Sequence, residues 1–395
     1  MITHSMGINL NTRKFPVFKK KVYLLKTHLA RQYAKLYAKD LFIGVTGSLD
    51  KSTCMAACFA VLSQKFKTIT SDSHLDPNLS ISSTLLKITP QIKKVILDLG
   101  FEQRGDIDFY LKMIQPKVVV FTSITYPHSE FLGNQNEVLS ELGKLLGQLP
   151  SDGMAVLNWD DPNSKKLSDE YQGNIIYYGT DPKNCSVWAG NIRVEDFRTN
   201  FELNMGVERV KVNLELLGSH QIYPILAAAA LGVIHNIPLT KIKIALESVK
   251  SEEHKLQALF GPNGSIILDD TLSSTPHELD AAIDTMLKIP ARRRILVLGE
   301  MKGLGQYSDS LHRQAAQKIY KEKIDQIYLG GGDANIIADE LKNLGFWEEK
   351  LQSNLQSSQL VGKLLKNLGR GDVCLIKGSQ SVRLDEVVKR ITKKS

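Results

Sequence analysis

The chain has 395 residues, more than one ordinary hydrophobic core accommodates, and this length predicts two or three domains. Its 43% hydrophobic and 23% charged residues are typical of a folded globular protein and exclude a disordered chain. No apolar run approaches the roughly 20 residues that a membrane-spanning helix needs, and the N-terminus lacks a signal-peptide pattern. The four cysteines have no metal-ligand spacing, so we interpret them as buried thiols of a cytoplasmic protein.

The net charge of +8 is concentrated in the first 40 residues. Nine of the 50 Lys and Arg residues lie there, which leaves 41, and one of the 42 acids, Asp40, lies there, which also leaves 41. The rest of the chain is therefore neutral and gives no sign of nucleic-acid binding. The basic leader suits contact with an anionic membrane surface or nucleic acid. The alternative, which we favour, is a helix packed on the protein, because helical spacing is followed by Val22, Leu25, Leu29, Tyr33, Leu36 and Tyr37.

From residue 41 onward, short apolar runs alternate with amphipathic helices, a pattern that predicts a parallel sheet covered on both faces. Strands are predicted at 41–46, 94–99, 117–123 and 154–158, and helices at 53–64, 106–114 and 136–149. Short alternating segments between 174 and 215 predict an antiparallel excursion. Two helices follow, at 220–234 and 240–249.

A polar, turn-rich segment at 251–262 predicts a domain boundary. The second half alternates again, with strands at 265–269, 294–298, 326–329 and 372–376 and helices at 277–286, 310–320, 334–344 and 359–368. The predicted fold class is α/β, with a central parallel-sheet domain and a smaller Rossmann-like C-terminal α/β domain. We assign residues 1–40 to the helical leader, 41–250 to the central domain and 251–395 to the C-terminal domain.

Residues 44–53 read Gly-Val-Thr-Gly-Ser-Leu-Asp-Lys-Ser-Thr, between a predicted strand and a predicted helix. This is the order of a phosphate-binding loop, in which backbone N–H groups and a lysine hold phosphate oxygens and a hydroxyl binds magnesium. Asp50 departs from the pattern, because a carboxylate repels phosphate and its side chain stands where close approach favours glycine. The alternative is an ordinary strand-to-helix turn with Asp50 at the helix N-terminus. The candidate phosphate-binding residues are Thr46, Gly47, Ser48, Lys51, Ser52 and Thr53.

Further motifs follow in unbroken order. They include Ile-Leu-Asp-Leu-Gly at 96–100, a segment with His128 at 122–137, Asn-Trp-Asp-Asp at 158–161, Gly-Ser-His at 218–220, Leu-Asp-Asp-Thr at 268–271, Leu-Gly-Glu-Met at 298–301 and Lys-Gly-Ser at 377–379. With the phosphate loop, these motifs resemble the Mur ligase family over residues 41–390. The closest resemblance is to the branch that joins D-alanyl-D-alanine to a UDP-muramoyl tripeptide.

The resemblance implies an ATP-dependent carboxylate–amine ligase that forms an acyl-phosphate and then a peptide bond in peptidoglycan precursor synthesis. The implied cofactors are ATP and Mg²⁺, and the implied partners are small molecules, namely a UDP-muramoyl peptide and D-alanyl-D-alanine. Lys51 and His128 would be catalytic, and Ser52, Asp98 and His128 would bind the metal. The nucleotide would also contact Asn158, Asp161, His220 and Asp270.

Several positions depart from the family pattern. The family's carbamylated lysine, a metal ligand, falls at Leu142, with Lys144 two residues further on. Ser273, Thr275 and Pro224 stand where the family has asparagines, and we expect no counterpart of the N-terminal UDP-binding domain. Two alternatives therefore remain open beside the favoured ligase. One is a catalytically silent nucleotide-binding protein, and the other is a ligase that acts on a carrier other than a UDP-sugar.

Overall fold

The computed structural model describes residues 17–72, 75–101, 103–124 and 135–392, with side chains from Val22 onward. In the first half, one sheet is built from β1 (Phe42–Thr46), β2 (Thr68–Thr70), β3 (Lys94–Asp98), β4 (Val118–Phe121), β5 (Met154–Asn158), β6 (Asn174–Gly179), β7 (Val187–Glu195), β8 (Arg198–Met205) and β9 (Glu208–Leu214). Their order is β2-β3-β1-β4-β5-β6-β7-β8-β9. Neighbours from β2 to β7 are parallel, whereas β7, β8 and β9 pair antiparallel.

The helices of the first half are α1 (Val17–Ala34), α2 (Lys51–Ser63), α3 (Pro77–Leu85), α4 (Asp106–Met113), α5 (Gln135–Gly147), α6 (Pro162–Asp169), α7 (Ile222–Ile234) and α8 (Leu239–Glu247). Helices α2, α7 and α8 pack into one apolar cluster on one side of the sheet. The other five contribute to a second cluster that includes the alternate side chains of the same strands. The sheet is therefore covered on both faces, as its continuous apolar strands predict.

Helix α1 packs on the protein, but not with the face that its leucines suggest. Its buried positions are Thr27, Ala30 and Ala34, and the helix lies against α3. The hydroxyl of Tyr33 donates to the carbonyl of Ile88 at 2.7 Å and fixes the C-terminal end of the helix. The predicted packing is confirmed. Of the six residues with helical spacing, Tyr33 and Tyr37 are partly buried and pack against the second apolar cluster, whereas Val22, Leu25, Leu29 and Leu36 are more than half exposed. The small buried residues face α3, and these four larger side chains lie on the solvent side.

A second sheet comprises β10 (Gln257–Phe260), β11 (Ile266–Asp270), β12 (Arg293–Leu298), β13 (Gln326–Gly330), β14 (Leu351–Leu355) and β15 (Asp372–Lys377), in the order β10-β11-β15-β12-β13-β14. It is parallel except at β10, which pairs antiparallel with β11. The helices of this half are α9 (Pro276–Lys288), α10 (Ser308–Lys321), α11 (Ala334–Asn343), α12 (Ser357–Asn367) and α13 (Leu384–Ile391). This is the predicted smaller α/β unit.

The sequence predictions miss several short elements. Segment 251–262 is not all turn, because β10 occupies its second half, and β6 is a parallel strand where an antiparallel excursion is predicted. Helices α3, α6 and α13 and strands β2 and β14 also go unpredicted. Each has no more than nine residues, too few to show a clear hydrophobic period. Among the described helices, none is long and apolar enough to cross a membrane.

Candidate active site

The phosphate loop lies at the carboxyl end of the central strands of the first sheet. Strand β1 has β3 on one side and β4 on the other, so the loop after β1 is flanked by the ends of both neighbours. The Thr46 hydroxyl donates to the carbonyl of Leu99 at 3.0 Å, and the Ser48 N–H donates to the carbonyl of Ser123 at 2.9 Å. The loop is thereby attached to both neighbouring strand ends.

Two glycines make room for this arrangement. Gly47 has a φ of 128°, and a Cβ there would stand 2.2 Å from Oγ1 of Thr122. At Gly100 a Cβ would stand 1.6 Å from Nζ of Lys51. Neither position accepts a side chain without moving its neighbours, because non-bonded heavy atoms do not approach that closely.

Lys51 begins α2 and reaches the end of β3. Its Nζ lies 3.0 Å from Oδ1 of Asp98, whose side chain is almost fully buried, and the Gly100 N–H donates to the same oxygen at 2.7 Å. The backbone N–H of Asp98 donates to the Ser71 hydroxyl at 2.7 Å, so the strand end is held from behind. Asp98 is thus a buried carboxylate with a cation beside it, which fits the oxygen chemistry of a magnesium ligand.

Asp50 adopts the left-handed backbone conformation that the loop requires, with φ 57° and ψ 22°. Glycine adopts it without strain, and aspartate is among the residues that tolerate it. Its Oδ1 lies 3.0 Å from Nζ of Lys255. Burial by itself raises the pKa of Asp50, but the charges of Lys255 and of nearby His220 outweigh it and lower the pKa below its ordinary value. The negative charge of Asp50, which by itself would repel phosphate, is therefore balanced by the positive charge of Lys255 from the other half of the chain.

The segment that leads into β10 crosses the N-terminal end of α2. The Ser52 hydroxyl donates to Oε2 of Glu252 at 2.8 Å, and Nζ of Lys255 donates to Oγ1 of Thr53 at 3.2 Å. Glu252 therefore places a carboxylate at a helix N-terminus, a position that suits an anion such as phosphate. Two predicted metal ligands consequently have separate partners, since Asp98 contacts Lys51 whereas Ser52 contacts Glu252.

The third predicted metal ligand, His128, lies outside the described residues, as does most of the segment 122–137 that contains it. Within the described ranges, no cluster of three or more His, Cys, Asp or Glu side chains is arranged to hold a metal. The contacts of Lys51 and Ser52 nevertheless place a cation beside Asp98 and an anion beside Ser52. The cation beside Asp98 has the charge that magnesium would bring to that carboxylate, and the anion beside Ser52 has the charge that phosphate would bring to the N-terminus of α2.

A small cleft of about 140 Å³ lies between the two halves, next to Asp50. His220 and Asp270 both line it, as the resemblance implies for nucleotide-binding residues. Burial lowers the pKa of His220, although the nearby carboxylates of Asp50 and Asp270 act in the opposite direction. Burial also raises the pKa of Asp270, although Nζ of Lys377 lies 2.6 Å from its Oδ2. Ligand sites usually measure about 300–1,000 Å³, so a nucleotide requires this cleft to open.

Asn158 and Asp161 have structural contacts in the described residues. Asp161 caps α6 by accepting from the Asn163 N–H at 2.9 Å, and its other oxygen accepts from the Ile124 N–H at 2.6 Å. Oδ1 of Asn158 accepts from the Asp160 N–H at 3.0 Å. Asp161 therefore fixes the backbone at Ile124, just after β4. Neither Asn158 nor Asp161 lines the described cleft.

The position to which the resemblance assigns the carbamylated lysine is a core position here. Leu142 is fully buried in the cluster under α4 and α5. Lys144 does not replace the missing lysine, because its Nζ lies 2.7 Å from carboxylate oxygens of both Asp108 and Glu141. Desolvation lowers the pKa of Lys144, but these two hydrogen bonds outweigh it and raise the pKa above its ordinary value. Carbamylation requires a neutral amine, which this environment disfavours.

We expect that Leu142→Lys destabilises the protein instead of restoring a metal ligand. The substitution places an ammonium group among apolar side chains, and the free energy of unfolding should fall by at least about 3 kcal/mol. Urea-induced unfolding measures the loss. The matched control is Leu365→Lys on α12, where the leucine is 46% exposed and the midpoint should stay unchanged. An unchanged midpoint for Leu142→Lys would contradict the core placement.

The residues that sequence reasoning missed lie mainly in the second half. Glu252, Lys255 and Lys377 contact the predicted site residues Ser52, Asp50 and Asp270. Lys377 stands in the Lys-Gly-Ser motif at 377–379, and that motif was the available signal. Glu252 and Lys255 stand in a polar stretch with no motif, where charged residues are ordinary. Thr275, which replaces a family asparagine, caps α9 by accepting from the Glu278 N–H.

Comparisons with known proteins match both halves. The family model for the Mur ligase middle domain matches residues 45–232, and the model for the Mur ligase glutamate ligase domain matches residues 256–380. The UDP-N-acetylmuramoyl-tripeptide–D-alanyl-D-alanine ligase of Bacillus subtilis (strain 168) is 25% identical over 364 residues, which cover 91% of this chain and 78% of the relative.

Solved structures show the same fold. MurF from Acinetobacter baumannii superposes with a TM-score of 0.84 at 20% identity, over 93% of this chain and 80% of that one. MurF from Thermotoga maritima in complex with ADP gives a TM-score of 0.80, also at 20% identity, over 93% of this chain and 83% of that one. Because the two domain models together span most of the chain and follow its two sheets in order, this protein belongs to the Mur ligase family of ATP-dependent carboxylate–amine ligases.

Proposed function

We propose that this protein joins the carboxylate of a muramoyl-peptide precursor to the amine of D-alanyl-D-alanine in the cytoplasm. The observation that carries the proposal is the contact of Lys51 with Asp98 at the ends of two neighbouring strands, beside a cleft between the two halves. The substrates follow from similarity to ligases of that specificity over about nine tenths of the chain. Four buried free cysteines suit a reducing compartment.

The chemistry we propose has two steps. The substrate carboxylate attacks the γ-phosphorus of ATP, the bond to the β-phosphate oxygen breaks, and ADP leaves. The amine then attacks the acyl-phosphate carbonyl, phosphate departs, and the amine loses a proton as the amide forms. Lys51 and the loop N–H groups neutralise the charge that builds on the transferring phosphoryl oxygens. Mg²⁺, held by Ser52, Asp98 and His128, would supply further neutralisation of phosphate charge.

We further propose that residues 41–250 bind ATP and that residues 251–395 close over it, with 1–40 as a leader whose helix α1 packs on the first unit. His220 and Asp270 line the cleft from the two halves, and we propose that both side chains contact the nucleotide there. The narrow cleft and the contacts of Glu252 and Lys255 with α2 support a closing movement at the segment 251–256. Asn158 and Asp161 support the site indirectly, through the chain at residue 124.

A catalytically silent nucleotide-binding protein is the second candidate. Leu142 favours it, because a buried leucine supplies no oxygen to a second metal ion. The ion pair between Asp50 and Lys255 weighs against a silent protein, since the positive charge of Lys255 balances the carboxylate and leaves the loop able to accept phosphate. A ligase for another carrier is the third candidate.

Phosphate release tests these candidates directly. We expect release from MgATP only when a UDP-muramoyl tripeptide and D-alanyl-D-alanine are both present, and loss of release in EDTA. Release that requires D-alanyl-D-alanine but not the UDP-linked acceptor would favour another carrier. Binding of MgATP without release for any acceptor would contradict the ligase proposal and favour the silent protein.

A further inference from the structure

Helix α1 carries an apolar stripe on its solvent side. Val22, Leu25 and Leu29 are 51%, 61% and 52% exposed, and Leu36, in the turn after the helix, is 76% exposed. Four of the 15 large hydrophobic side chains exposed in the described chain thus lie within 15 residues. Scattered exposed apolar residues are ordinary, whereas a contiguous group indicates a binding surface. We call these four residues the leader stripe.

Basic residues precede and follow the leader stripe in the sequence. Lys19, Lys20 and Lys21 lie in the same helix just before Val22, and Lys35 and Lys39 are exposed beyond its C-terminal end. Residues 1–40 hold nine basic residues and a single acid, Asp40, whose carboxylate lies 3.9 Å from Nζ of Lys94. An apolar stripe flanked by lysines is the combination that binds at the interface of an anionic bilayer. Binding of nucleic acid would use the charge but not the leucines.

The helix is firmly attached to the protein. Lys26 donates to the Ser83 hydroxyl at 2.6 Å, and the Tyr33 and Tyr37 hydroxyls meet at 2.8 Å beside the Ile88 carbonyl. Whatever binds the leader stripe therefore holds the whole central domain in a fixed orientation, not on a loose tether.

We propose that α1 is a docking surface for an anionic lipid bilayer. The leader stripe enters the boundary between headgroups and acyl chains, and the lysines contact the headgroups. The inference is independent of the proposed ligase activity, because none of the residues it uses lies in the cleft or the phosphate loop.

Sedimentation of the full chain with lipid vesicles tests the proposal. We expect binding to vesicles of phosphatidylglycerol and phosphatidylcholine, little binding to phosphatidylcholine alone, and weaker binding at 0.5 M salt because screening shortens electrostatic attraction. The double variant Leu25→Ser with Leu29→Ser should bind the vesicles about tenfold or more weakly, because two leucine side chains no longer contribute the free energy of transfer from water to the bilayer. The matched control, Ile244→Ser with Leu365→Ser, removes exposed apolar residues from α8 and α12 and should bind as the parent does.

Three outcomes would overturn the proposal. The first is the absence of binding to anionic vesicles at low salt. The second is an equal loss of binding in the leader pair and the control pair. The third is a dimer in size-exclusion chromatography that the leader pair converts to a monomer, which would assign the leader stripe to a second copy of the chain. All four substituted side chains are exposed, so unchanged thermal unfolding should accompany every variant.

Discussion

Lys51→Met should reduce ATP-dependent phosphate release by about 10²–10³-fold, by analogy with the loss of one preorganised charge-stabilising donor. Lys51 is the cation at the start of α2, and its Nζ lies 3.0 Å from Asp98, next to the phosphate loop. Methionine keeps most of the aliphatic stem and removes the ammonium group. The loss should fall mainly on kcat, because the charge to be neutralised grows in the transition state.

The control for this substitution is Lys67→Met. Lys67 lies beyond the C-terminal end of α2 and hydrogen-bonds the Gln91 side chain at an exposed position, so its loss should leave kcat and KM unchanged. Circular dichroism should show that both variants are folded. Turnover of Lys51→Met at the parental rate would remove Lys51 from the mechanism.

Asp50 and Lys255 should affect nucleotide binding in opposite directions. Lys255→Met leaves the Asp50 carboxylate unpaired beside the phosphate site, and MgATP should bind about tenfold or more weakly. Asp50→Gly removes that carboxylate, frees Lys255 to face phosphate and relieves a left-handed backbone at a non-glycine residue. MgATP should therefore bind more tightly to Asp50→Gly than to the parent. Isothermal titration calorimetry measures both dissociation constants.

The double variant separates this coupling from two independent effects. With both side chains gone, affinity should return toward the parental value, and any difference between the double variant and the sum of the two single effects measures the coupling between Asp50 and Lys255. Lys250→Met is the matched control, because Lys250 pairs with Glu215 on the surface and not with the loop. If Asp50→Gly weakens MgATP binding as much as Lys255→Met does, the ion pair serves to hold the loop in shape and does not balance charge at the phosphate site.

The sequence alone determined the features that depend on neighbouring residues. Apolar runs alternating with amphipathic helices predicted both sheets, because the hydrophobic period of a segment reflects its own secondary structure. The phosphate loop was equally local, since Gly47, Lys51 and Ser52 stand within six residues of one another. Motif order then identified the family, because many short matches in sequence are improbable together. Elements of at most nine residues were missed where their periods were too short to recognise.

Only the tertiary structure decided which charges meet and which faces are buried. Asp50 contacts Lys255, 205 positions away, because the ends of β1 and the start of the second half converge at one cleft. No local sequence pattern predicts a contact between residues so far apart in the chain. Taken alone, the Asp50 carboxylate is expected only to repel phosphate. The same holds for α1, where both faces have a helical period. Its small residues pack against α3, and the leucines lie on the solvent side.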